Sequence, residues 1–166
     1  MIQEGPILIS DKLVNEITNV IINMIIRQNK SDKRSNITNC FSAQISSDIT
    51  VSIYIERLIM LFKIEGSTLI HSLIYLDRVC KMGNFKLSLK NFHLCFLTSL
   101  VIATKFNEDK NFKNNYYAKV GGITLEKLNR LEKIFLVTID YSLFVMKEEF
   151  NHYSNYLSNS IKSREN

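Results

Sequence analysis

Residues that make tight turns are scarce: one proline and five glycines in 166 residues. A turn-dense all-β sandwich needs such punctuation about every ten residues, so that class is excluded. Cys40, Cys80 and Cys95 are an odd number at wide spacing with no C-x-x-C pair, which excludes a disulfide framework and a zinc ribbon. Cys80 and Cys95 fall inside apolar helical patterns and read as small buried hydrophobes. His71, His93 and His152 show no ligand spacing, so neither a metal nor a cofactor is expected. Also missing are G-x-S-x-G, G-x-x-x-x-G-K and G-x-G-x-x-G, and catalysis by this chain is not expected. No apolar run approaches the roughly 20 residues of a bilayer span. The start, MIQEGPILIS, has no basic region or cleavage pattern. An intracellular protein, nuclear or cytoplasmic, is the expectation.

What is present is a composition ordinary for one globular domain, 46% hydrophobic and 22% charged. The net charge of +5 has an address: residues 50–146 hold 13 of the 21 Lys and Arg but 8 of the 16 Asp and Glu. These cations are scattered and cluster on no helix face, so nucleic acid is not the expected partner; a protein or acidic partner suits them better.

Helical periodicity dominates the chain. Ser10 caps a helix over about 11–26 with the stripe Leu13, Ile17, Val20, Ile21, Met24 and Ile25. A polar linker (27–36) and a weakly periodic connection (36–50) follow. Five helices are then predicted. The first spans about 49–63; Gly66 breaks it, and Ser67 caps the second, Thr68 to Lys81. Ser88 or Asn91 opens the third, FHLCFLTSLVIATKF, apolar nearly all round and hence central. A short helix around YYAKV stops at Gly121-Gly122, and Thr124 caps the fifth, LEKLNRLEKIFLVTID. A last amphipathic segment covers about 147–161. The fold class is all-α, divided as an N-terminal helix and linker (1–46), a five-helix unit (47–157) and a tail (158–166).

Two charges stand out. Lys105 closes the apolar third helix, and Glu132 lies midway along the fifth. Charged groups are seldom fully buried unless paired. A polar clamp on another protein and an ordinary rim salt bridge both fit this spacing. Asp77, also within a helix, sits beside basic residues, which points to ion pairing before acid–base work.

These same stretches carry a resemblance. YIERLIMLFK (54–63), LIYLDRVCK (73–81) and TSLVIATKFNEDKNFKNNYYAKVGGITLEKLNRLEKIFLVTIDYSLFV (98–145) resemble a cyclin box. Within the cyclins they are similar to the phosphate-regulatory P- or U-type, with a single box. The similarity covers about residues 47–157, and nothing after Leu157 is long enough for a second box. The resemblance implies a cell-cycle or phosphate-responsive regulator that binds and activates a cyclin-dependent protein kinase and meets substrate proteins through that complex. It implies that Lys105 and Glu132 hydrogen-bond the backbone around the kinase's movable helix. Glu108 or Asp109 would reach an Arg of the activation segment; the subgroup's second acid is here shifted to Asn107-Glu108-Asp109. Asp77 would form a structural ion pair between helices, with Arg57, Arg78 or another base. A Met-Arg-Ala-Ile-Leu docking motif is absent. The competing reading is a cyclin-fold adaptor that binds another protein or DNA without activating a kinase.

Overall fold

Ser10 caps the first helix as expected, its Oγ accepting the Leu13 N–H at 3.2 Å. The computed structural model describes residues 7–29, 41, 50–83 and 85–163, which leaves Cys40 and most of both connections before residue 50 outside the described residues. Seven helices and no strand occur among the described residues: α1 (Asp11–Asn29), α2 (Val51–Phe62), α3 (Gly66–Met82), α4 (Phe92–Asn107), α5 (Asn114–Gly121), α6 (Leu125–Thr138) and α7 (Lys147–Ser163). The all-α class holds.

The apolar third helix of the sequence is the centre. Every residue of α4 from Phe92 to Thr104 is buried, and α2, α3, α5 and α6 all pack against it. The hydroxyl side chains survive there because they bond their own helix. The Thr98 and Thr104 hydroxyls donate to the Leu94 and Leu100 carbonyls at 2.7 and 2.8 Å, and Ser99 donates to Phe96. Cys80 and Cys95 are buried free thiols whose pKa burial raises. The N-terminal stripe is buried by Leu13, Val14, Ile17, Ile21 and Ile25, with α1 packing on α2 and α7.

One glycine acts differently from expectation, while the expected stop at Gly121-Gly122 holds. Gly66 does not break a helix; it is the first residue of α3. Its N–H donates to the Ile7 carbonyl at 3.1 Å, and a Cβ there would sit 2.5 Å from that oxygen, so only glycine lets residue 7 cross so close. Nor does Ser67 cap α3: the N-cap position is Glu65, whose own side chain makes no cap bond. The Gly121-Gly122 pair divides two tasks. A Cβ on Gly121 would meet Leu97 Cδ2 at 2.3 Å, so Gly121 seats α5 on α4. Gly122, at φ +69°, turns the chain out of the helix. Thr124 then caps α6 by accepting the Lys127 N–H.

Candidate functional site

The C-terminal turn of α4, the start of α5 and the middle of α6 meet at one edge of the bundle. Lys105 on α4 and Glu132 on α6, 27 residues apart in sequence, are joined there: Lys105 Nζ donates to Glu132 Oε1 at 2.7 Å. The two members differ in setting. The Lys105 side chain is 37% exposed and the Glu132 side chain 12%. Lys105 lies in the last turn of its helix, where the dipole favours a cation. One of its three N–H groups is used, which leaves two at the edge for a partner's carbonyls.

The carboxylate of Glu132 is held from a second side. Asn114, the first residue of α5, donates Nδ2 to Glu132 Oε2 at 2.5 Å and to Asn129 Oδ1 at 2.7 Å. Asn114 and Asn129 have no role in the sequence reading. Their signal was there: Asn129 precedes Glu132 by three and so shares its helix face. Beside this network the loop after α4 is tied down by the Phe112 N–H, which donates to the Tyr117 hydroxyl at 2.9 Å. Tyr116 donates to the Leu61 carbonyl and fastens α5 to α2.

The two acids beyond Lys105 part company. Glu108 Oε1 accepts from the Glu65 N–H at 2.9 Å and from Thr68 Oγ1 at 2.6 Å. Glu108 thus caps α3 from 43 residues away, in the place expected of Ser67. Asp109 is exposed and has no hydrogen-bond or ion-pair partner among the described residues.

Asp77 lies elsewhere, where α3 meets α7. Its Oδ2 accepts from the Tyr153 hydroxyl at 2.7 Å and from Lys81 Nζ at 2.5 Å, one turn along its own helix. The base is therefore neither Arg57 nor Arg78, and the link between helices runs through a tyrosine. Burial first, then the bond to Asp77, pushes the Tyr153 phenol up. Arg78 forms the ion pair that joins helices: its NH2 reaches Glu149 Oε2 at 2.6 Å, and NH1 donates to the carbonyls of Ser142 and Phe144 at 2.6 and 3.1 Å. Tyr75 adds a bond to the Leu143 carbonyl at 2.8 Å. Together they pin the extended segment between α6 and α7, which begins with Asp140 and Tyr141 both at left-handed φ.

Comparison with known proteins agrees with this architecture. The sequence model of the family described as Cyclin matches residues 11–143. Cyclin-U2-1 of Arabidopsis thaliana is 36% identical over 125 residues, 75% of this chain and 56% of that protein. Cyclin-P3-1 of Oryza sativa is 32% identical over 123 residues, 74% and 52% of the two chains. PHO85 cyclin-7 of Saccharomyces cerevisiae is 34% identical over 122 residues, 66% and 43%. The chain spans about half the length of the curated relatives it matches. The chain belongs to the cyclin family, among its U-, P- and PHO85-type members.

Proposed function

We propose that the chain is the non-catalytic regulatory subunit of a cyclin-dependent protein kinase, which it binds and activates by holding the kinase's regulatory helix inward. Such a kinase works only when a Glu on that helix reaches its ATP-anchoring Lys, so a partner that fixes the helix switches it on. One observation carries the reading: α4 and α6 bring Lys105 and Glu132 together at a single accessible edge, a donor with unused N–H groups beside a carboxylate. Free backbone carbonyls and N–H groups at a helix end are the chemistry that this pair matches. On docking, both side chains exchange part of their mutual bond for backbone partners. A relative carries a kinase in its name, PHO85 cyclin-7, and supports the same class of partner here.

In this complex Asp109 is the acid left to pair with an Arg of the activation segment, because Glu108 is committed to α3. Substrate proteins meet the kinase through the complex, in the nucleus or cytoplasm; no described helix is long and apolar enough to cross a membrane. Capture of the tagged chain from its native cell, with mass spectrometry of what is bound, tests the reading. A cyclin-dependent kinase should be recovered, and the purified chain should raise its phosphotransfer by orders of magnitude while showing none alone. Recovery of other proteins or DNA without any such kinase would establish the adaptor reading instead.

A further inference from the structure

The stretch NNYYAKVGG opens with an asparagine that kinase binding as described leaves without a task. Asn114 stands at the start of α5 and reaches across to α6, where its Nδ2 meets Glu132 Oε2 at 2.5 Å and Asn129 Oδ1 at 2.7 Å. The orientation of this amide is dictated by its neighbours: turned over, its oxygen would face the Glu132 carboxylate, acceptor against acceptor. The price of that orientation is visible, since Asn114 Oδ1 is buried with no hydrogen-bond partner among the described residues. An unmet buried acceptor costs stability, so a polar side chain is rarely left in this state without a gain elsewhere.

The gain is control of Glu132. The terminal torsion of a glutamate is broad, and a carboxylate beside a single lysine can swing both oxygens onto it. With Oε2 held by Asn114, only Oε1 faces Lys105, and the carboxylate keeps one direction at the edge. We infer that Asn114 is a positioning residue for the kinase contact: it acts through Glu132, fixing the carboxylate in the orientation that a docked backbone N–H requires and keeping Lys105 from masking it. The inference rests on the kinase-binding reading above.

The test uses the full chain and the kinase identified by the capture experiment, with dissociation constants measured by calorimetry. Asn114→Ala should weaken binding about tenfold in the wild-type background and less than about twofold when Glu132→Ala is already present, because its effect passes through that carboxylate. Asn114→Asp, which sets a second carboxylate against Glu132, should weaken binding further, and Asn114→Ser, which keeps one donor, should restore part of the loss. Melting temperatures of the variants should stay within about 3 °C of wild type, as expected for a half-buried residue at a helix start. Equal losses in both backgrounds, or affinities that track melting temperature, would overturn the positioning role. A wild-type chain that binds while Asn114→Ala binds equally well also overturns it and leaves the kinase reading standing. A wild-type chain that binds no cyclin-dependent kinase removes both.

Discussion

Two charged clusters of this protein use similar groups and differ in how completely they are satisfied. Around Arg78, the guanidinium spends its fork on two backbone carbonyls and a carboxylate, and Asp77 nearby is shared by a lysine and a tyrosine. Every bond runs to another part of the same chain, and three segments (α3, the 142–144 stretch and α7) are fastened at one point. Around Lys105 the ammonium makes one bond, to Glu132, and the side chain keeps a third of its surface in water. A cluster whose bonds tie several segments of the same chain together is a fastener. One that leaves strong donors unused at an edge is prepared to exchange partners.

The largest effect should come from breaking the fastener. Arg78→Ala orphans two carbonyls and the Glu149 carboxylate, and should cost about 2–3 kcal/mol, read by urea unfolding. A loss below about 0.5 kcal/mol would erase the distinction between the clusters. Asp77→Ala should cost about 1 kcal/mol, because its lysine is 72% exposed and only the tyrosine bond is sheltered. That is less than the ion pair between helices implied by the cyclin resemblance would cost.

The fastener is also the region where acid should tell. His71 lies beside Arg78 and Glu149, and its pKa is lowered chiefly by burial, against a raising bond to the Ser67 carbonyl. Burial lowers His93 as well. A depressed folded value means that the unfolded chain takes the proton first. The stability these residues contribute is whole above about pH 6.5 and is lost as pH falls below it. The melting temperature should therefore drop between pH 7.5 and 5.5, and His71→Gln should reduce that slope. The smallest effect is a gain outside both clusters. Lys63 ends α2 at φ 54°, so Lys63→Gly should stabilise by up to about 1 kcal/mol and leave kinase affinity unchanged.

The comparison also marks what was legible in the sequence. Stripes at helical spacing located α1 and α4, because burial of one face, or of all faces, writes itself into local composition. The caps at Ser10 and Thr124 are equally local. Lys105 was visible as the lone charge closing an apolar helix, and Glu132 as a charge midway along a helix with a strong core stripe. What stayed hidden is what depends on distant approach. Gly66 reads as a breaker until Ile7 is seen crossing it, and no pattern near residue 66 shows that Glu108 supplies the cap. Arg78 and Asp77 are adjacent, so the sequence offers both as pairing residues. Only packing decides that Arg78 reaches Glu149 while Asp77 turns to Lys81 and Tyr153.

The central claim is that the Lys105–Glu132 edge is a docking clamp and not another fastener. It is tested most directly by measuring kinase affinity and unfolding free energy on the same Lys105→Ala and Glu132→Ala proteins. Removing either member leaves a group desolvated and unpaired in the complex, where the loss is about 2–5 kcal/mol, whereas in the free chain the exposed lysine makes the pair worth little. The account predicts a loss of about 30-fold or more in affinity for each, with stability changed by about 1 kcal/mol or less. Wild-type affinity in both variants, or a loss of stability as large as that of Arg78→Ala, would contradict it.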